Sequence, residues 1–166
     1  MKTTTKIISL ALLATTVVGI ASLSTQAVMA DQQTTSASSQ SNTSTLSSSY
    51  VVYGAGAPQS VYSDLNDTMD VDSSFKKLTA TAADYQQYIG NDSSTTNAAM
   101  ISSVSIAPTD PGSGVKVNIR KYNGKSNITK VTAQQYAMVA QMAGVTDITI
   151  NVTANRPVSG ESALTG

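Results

Sequence analysis

Near its C-terminal end the chain alternates cleanly between apolar and polar side chains. Ile148, Ile150 and Val152 interleave with Thr149, Asn151 and Thr153, the period-two pattern of a half-buried strand. Just before it the period changes. Tyr136, Val139, Ala140 and Ala143 recur at helical spacing. Thr132 and Gln135 stand three apart as a capping box, and Gly144 supplies a left-handed stop. Residues 127–131 read as a further strand, so residues 127–153 predict strand, helix, strand: one parallel, right-handed crossover.

The pattern upstream is shorter in period but legible. Residues 50–53 predict a strand ended by Gly54-Ala55-Gly56. A helix follows with Pro58 in its first turn; Val61, Tyr62, Leu65 and Met69 form its apolar face, and Asp64 and Asp67 its outer side. Residues 75–79 predict a strand, and Thr81 to Tyr85 open a short helix that Gly90 ends. The T-A-x-x-Y pattern of that helix recurs at Thr132 to Tyr136. Met100, Val104 and Ile106 share one face of the next strand. A dense Pro/Gly turn over residues 108–114 then predicts a hairpin into the alternating strand 115–120. Asn123-Gly124, the strongest two-residue hairpin signal in the chain, turns that strand into 127–131.

Clean alternation implies that one sheet face is wet, whereas fully parallel sheets show continuous apolar runs. The expected fold class is therefore α+β: a two-layer sandwich with a mixed sheet of about five strands and helices on one face.

Composition adds a leader and a tether. Lys2 and Lys6 precede an apolar stretch over residues 7–23, and Val28-Met29-Ala30 offers small or aliphatic side chains to a signal peptidase. Residues 1–30 read as a secretory signal peptide cleaved between Ala30 and Asp31. The apolar stretch is broken by Ser9, Thr15, Thr16, Gly19 and Ser22, a poor membrane span. Residues 31–49 are a Ser/Thr-rich tether with a single large apolar side chain, Leu46, too few to offset the entropy of ordering. Residues 50–166 make a single domain. The chain has no Cys, so the fold depends on its core alone. Removing Lys2 and Lys6 leaves eight basic against ten acidic residues. With no basic stripe, nucleic acid is not an expected partner, and no second run is long enough to span a membrane.

Candidate chemistry is sparse. Gly54-x-Gly56 between strand and helix has Gln59 where a dinucleotide fingerprint needs its third glycine; a tight turn explains the pair better. Asp64, Asp67, Asp70 and Asp72 cluster, but Phe75, Lys76 and Lys77 follow in place of a calcium loop's glycine turn and closing Glu. Without His or Cys, the usual nucleophile–base pairs and zinc sites are excluded. Glu161 is the only Glu, so a glycosidase would need an Asp such as Asp110 as its partner. Ser159-Gly160-Glu161-Ser162 reads as a turn into a helix capped by Ser159. Leu164-Thr165-Gly166 lacks the proline and the hydrophobic tail of a sortase signal. Tyr62, Tyr85 and Tyr136 sit where helices face the core, although exposed Tyr could stack on sugars. The Asn127-Ile128-Thr129 triplet is expected by chance in so Ser/Thr-rich a chain. No catalytic, cofactor or metal residue is assigned.

Four stretches carry a family resemblance: residues 101–117 (ISSVSIAPTDPGSGVKV), 127–136 (NITKVTAQQY), 143–147 (AGVTD) and 156–166 (RPVSGESALTG). Together they resemble the bacterial domain-of-unknown-function family one thousand and two, secreted proteins of Gram-positive bacteria. Residues 51–65 are similar to its opening strand and helix. The resemblance implies no activity, catalytic residue or ligand. Two departures stand out: residues 121–126 look like an insertion, and the family pattern continues beyond Gly166. The expected function is a non-enzymatic cell-envelope or extracellular interaction module, with cell-wall polymer or an envelope protein as partner. The alternatives are a secreted hydrolase, and a pro-region or inhibitor of a C-terminal part.

Overall fold

Alternating residues build one mixed sheet, but they assemble in an order that local signals do not reveal. The computed structural model describes residues 43–90 and 93–166, which belong to a compact unit spanning residues 39–166. The signal peptide, its Ala30–Asp31 cleavage point and the first part of the tether lie outside the described residues. In chain order the elements are β1 (Ser44–Thr45), β2 (Tyr50–Gly54), α1 (Tyr62–Thr68), β3 (Lys76–Ala80) and α2 (Ala82–Tyr88). They continue with β4 (Ser103–Pro108), β5 (Val115–Ile119), α3 (Ala133–Met142), β6 (Val145–Thr146) and β7 (Ile148–Thr153). Short 3-10 turns at Gln59–Val61, Asn97–Ala99 and Glu161–Thr165 lead into α1, precede β4 and close the chain.

The sheet order is β3-β2-β4-β7-β5. β4 pairs antiparallel with β2 and with β7, while β3 runs parallel to β2 and β5 parallel to β7. The α+β class and the mixed five-stranded sheet are as expected. The Pro/Gly elbow is not a hairpin, however, because β7 lies between β4 and β5. The Asn123-Gly124 turn does form: both residues have positive φ, and Tyr122 bridges Lys125. It feeds no strand, since residues 127–131 contribute only an isolated bridge between Ile128 and Val158. The parallel crossover thus begins one strand early, running β5–α3–β7.

Both faces of the sheet carry helix. On one face Val52, Val104, Ile148, Ile150 and Val152 pack with Tyr136 of α3 and Ala163, with Tyr85 of α2 at the margin. On the other, Val51 and Tyr53 pack with Leu65 and Met69 of the α1 segment and with Tyr122. This corrects the expectation of helices on one face. β2–α1–β3 and β5–α3–β7 both join co-directional strands and step the same way across the sheet, yet their helices lie on opposite faces. The two crossovers therefore have opposite hands, and one is the left-handed form that right-twisted strands disfavour.

The face expected to be wet is also covered. Ser103, Ser105, Asn151 and Thr153 are buried polar residues on that side of β4 and β7. Their hydrogen-bonding capacity is met internally, as buried polar groups require. Ser105 Oγ and Asn151 Nδ2 both donate to the Met69 carbonyl oxygen, at 2.9 and 3.0 Å. Asn118 Nδ2 donates to Asn151 Oδ1 at 2.8 Å, and Thr153 Oγ1 to the Arg120 carbonyl at 3.0 Å. Met69 is the C-cap of α1, so an open carbonyl at a helix end becomes the acceptor that ties α1 to the sheet.

The Thr132–Gln135 capping box forms as read, and Thr81 makes a second complete box with Asp84. The Thr81 amide and hydroxyl both bond the Asp84 carboxylate and hold its pKa below the usual range. Gly144 adopts φ of 75° after α3. One boundary moves: β1 falls inside the expected tether and pairs with β6, and Leu46 packs on the core.

Candidate functional site

The helices leave a gap on the face they share. α3 lies over the β5 side of the sheet and against β6, while α2 and the closing 3-10 turn contact each other near β2 and β3. Between them the apolar faces of β2, β4 and β7 are only partly roofed. The result is a groove of about 560 Å³ with Val52, Ile106, Ile148 and Ile150 as floor. Val139, Ala140 and Ala143 of α3 form one wall, and Tyr88 and Ile89 at the end of α2 the other. Leu46, Leu78 and Leu164 to Gly166 complete the rim. The groove lies between α3, which packs on the β5 side, and α2, which packs against the closing 3-10 turn.

Its chemistry is apolar. No charged side chain lines it; the polar side chains are Thr165 and the phenols of Tyr50 and Tyr88. Such a lining gains free energy chiefly by covering apolar surface. At its rim Leu78 is 51% exposed and Tyr88 66%. Large apolar side chains left open beside a groove mark a docking face more than isolated surface residues do.

The candidates raised by sequence fall elsewhere. Gly54 and Gly56 pack against residues 97–102: a Cβ on Gly54 would meet the Met100 carbonyl oxygen at 2.2 Å, and one on Gly56 the Ala98 oxygen at 2.5 Å. They serve close backbone approach, not phosphate binding. Asp64 accepts from Tyr122 Oη at 3.1 Å, Asp70 pairs with Arg120 at 2.7 Å, and Asp72 accepts from Ser74. Among the described residues no three carboxylates gather at a metal-binding distance.

Asp110 and Glu161 do not share a site. Asp110 follows the C-terminal end of β4, while Glu161 adjoins Ser162, whose Oγ accepts from Ser102 N at 2.9 Å just before β4 begins. The six residues of β4 separate them, roughly 20 Å at strand rise. Glycosidase carboxylates stand about 5–10 Å apart. Ser162 itself is buried and bonded to Ser102, a structural tie. The predicted Ser159 cap does not form: the segment is a 3-10 turn whose N-cap is Gly160, and Ser159 Oγ only accepts from Glu161 N at 3.4 Å.

The tyrosines are mostly packing groups. Tyr136 is 3% exposed and donates to the Gly160 carbonyl at 2.7 Å. Burial, aided by the Glu161 charge, pushes its phenol well above the ordinary value. Tyr62 stacks on Tyr53 with centroids 3.9 Å apart, and Tyr53 Oη donates to Asn66. Tyr85 packs against the main core, and Tyr88 alone opens into the groove as an exposed ring. Asn127 is buried, with Nδ2 on the Ala154 carbonyl, so its triplet is a structural joint. Sequence reading missed the groove itself.

A single α+β module with an apolar groove on one sheet face is the class this architecture defines. The chain belongs to the family described as protein of unknown function DUF1002, whose model matches residues 53–166. It is similar to the uncharacterized protein YpuA of Bacillus subtilis (strain 168), 32% identical over 118 residues, covering 70% of this chain and 39% of that protein. The chain thus spans well under half the length of that relative. No solved structure matches. Among the described residues no helix is long and apolar enough to cross a membrane.

Proposed function

We propose that the protein is a secreted, non-enzymatic interaction module of a Gram-positive envelope, with the uncharged groove between α2 and α3 as its docking face. The observation that carries this reading is the groove's rim, where Leu78 and Tyr88 stay open around an apolar floor. Supporting it are the signal-peptide pattern of residues 1–30, the Ser/Thr-rich segment that follows, and the absence of His and Cys. An amphipathic segment of an envelope protein, or the apolar face of a wall-polymer sugar, fits this surface. The test is retention of the mature protein on purified envelope fractions. Binding lost on Leu78→Glu with Tyr88→Glu supports the reading, and protein that stays free in the medium refutes it.

A second reading draws on the 39% share of YpuA that the match covers. In longer members of the family, the groove would be covered by chain outside the matched part, making this module the partner of a neighbouring region. Binding of a hydrophobic dye to the 166-residue chain, absent from a longer member, favours that reading.

A further inference from the structure

We infer that the groove between α2 and α3 takes a long-chain carboxylate, a fatty acid, with its acyl chain on the strand floor and its head group at Lys76. The inference rests on the groove being the protein's binding face, and adds the chemistry of what binds there.

The floor decides which kind of chain can lie on it. Val52, Ile106, Ile148 and Ile150 come from β2, β4 and β7, the three inner strands of the sheet. Each of these strands is paired on both sides, so the floor offers no open backbone edge. An extended peptide laid across it would lose water from its amides and find no partners in return, which is costly. The polar side chains of the lining are Thr165 and two phenols, too few to replace that water. A hydrocarbon chain carries no such groups. The volume of about 560 Å³ lies within the range of about 300–1,000 Å³ usual for small-molecule sites.

The charge around the groove is one-sided. Lys76 stands opposite Tyr50 in the parallel ladder of β3 and β2, so the two share a sheet face. Tyr50 lines the groove, and Lys76 Nζ lies 5.5 Å from the centroid of its ring. Leu78, two residues further along β3, belongs to the rim. An ammonium thus stands at the edge of an apolar trough, just outside its lining. Lys76 is exposed, and the one ion pair among the described residues joins Arg120 to Asp70 instead. The carboxylate nearby, Asp84, lines an adjoining hollow with Thr79 and Ala80, at the opposite end of β3 from Lys76. The Thr81 amide and hydroxyl both donate to it at 2.8 Å. Lys77 belongs to the other sheet face, because neighbours alternate along a strand. An apolar trough with one available cation at its rim complements an amphiphile with one negative end.

The experiment is calorimetric titration of the protein with octanoate, decanoate and dodecanoate, each below its micelle concentration, with dodecyltrimethylammonium as the cationic arm. The expected result is one saturable site that tightens about four-fold per added methylene and takes the cation more weakly. Methyl NMR signals of Ile106, Ile148 and Ile150 should shift with dodecanoate. Lys76→Gln should weaken dodecanoate about three- to five-fold, and Lys77→Gln should leave it unchanged. Both lysines are exposed, so neither variant threatens the fold. Equal affinity along the chain series, or equal effects of the two lysine variants, overturns the proposal. So does dodecanoate that fails to bind saturably. Envelope retention still lost on Leu78→Glu with Tyr88→Glu would then leave the docking reading standing, whereas absence of retention as well would remove both.

Discussion

Asn151→Ala distinguishes a buried polar sheet face from a wet one. Asn151 is 7% exposed; its amide donates to the Met69 carbonyl and, at 3.4 Å, to Ser105 Oγ, while its Oδ1 accepts from Asn118. Truncation removes the two good hydrogen bonds, each worth about 1 kcal/mol, and strands the half-buried Asn118 amide, for a total of about 2–3 kcal/mol. Met69 keeps its bond from Ser105, which bounds the loss. For a domain of this size that is a fall in Tm of roughly 8–12 °C. On a wet face the same change would cost under about 0.5 kcal/mol, or about 2 °C. Thermal unfolding followed by circular dichroism gives the shift, and a cycle with Ser105→Ala should show coupling, because the two side chains share one acceptor. A shift of under about 2 °C with no coupling refutes the account of how α1 is fastened to the sheet.

Three further outcomes follow from the packing. Gly54→Ala should destabilise by about 3 kcal/mol or more in denaturant titration, since the new Cβ meets backbone oxygens that cannot rotate away. Thr132→Ala should cost about 1 kcal/mol through loss of the α3 capping box, read as faster amide exchange in its first turn. The raised Tyr136 phenol contributes stability that is full below its unfolded value near 10 and is lost as pH rises through the folded value. Unfolding free energy should therefore decline in alkali by up to about 1.4 kcal/mol per pH unit from this group. Tyr136→Phe should flatten that decline, as measured by chemical denaturation across the alkaline range.

Signals that depend on a few neighbouring residues were legible in the sequence. The Thr132–Gln135 capping box, the Gly144 stop and the alternation of β7 need only local geometry, and each appears where its pattern stands. Signals that depend on distant chain were not. The Pro/Gly elbow after β4 is a good turn, yet no local rule could place β7, more than thirty residues later, between the strands it joins. Polar alternation in Thr149, Asn151 and Thr153 identifies a second face without saying whether water or the Met69 carbonyl satisfies it. Handedness failed for the same reason: a preference of right-twisted strands cannot show that one of two crossovers takes the opposite face. The groove draws on residues from Leu46 to Gly166, and only the fold brings them together.

The central claim is that the uncharged groove docks a partner. It is tested most directly by comparing retention of the mature protein and its Leu78→Glu, Tyr88→Glu variant on purified Gram-positive envelope fractions. Both positions are more than half exposed, so the variant should keep its Tm. The account predicts that the parent is retained and the equally stable variant is released. Equal retention of both, or retention of neither, contradicts it.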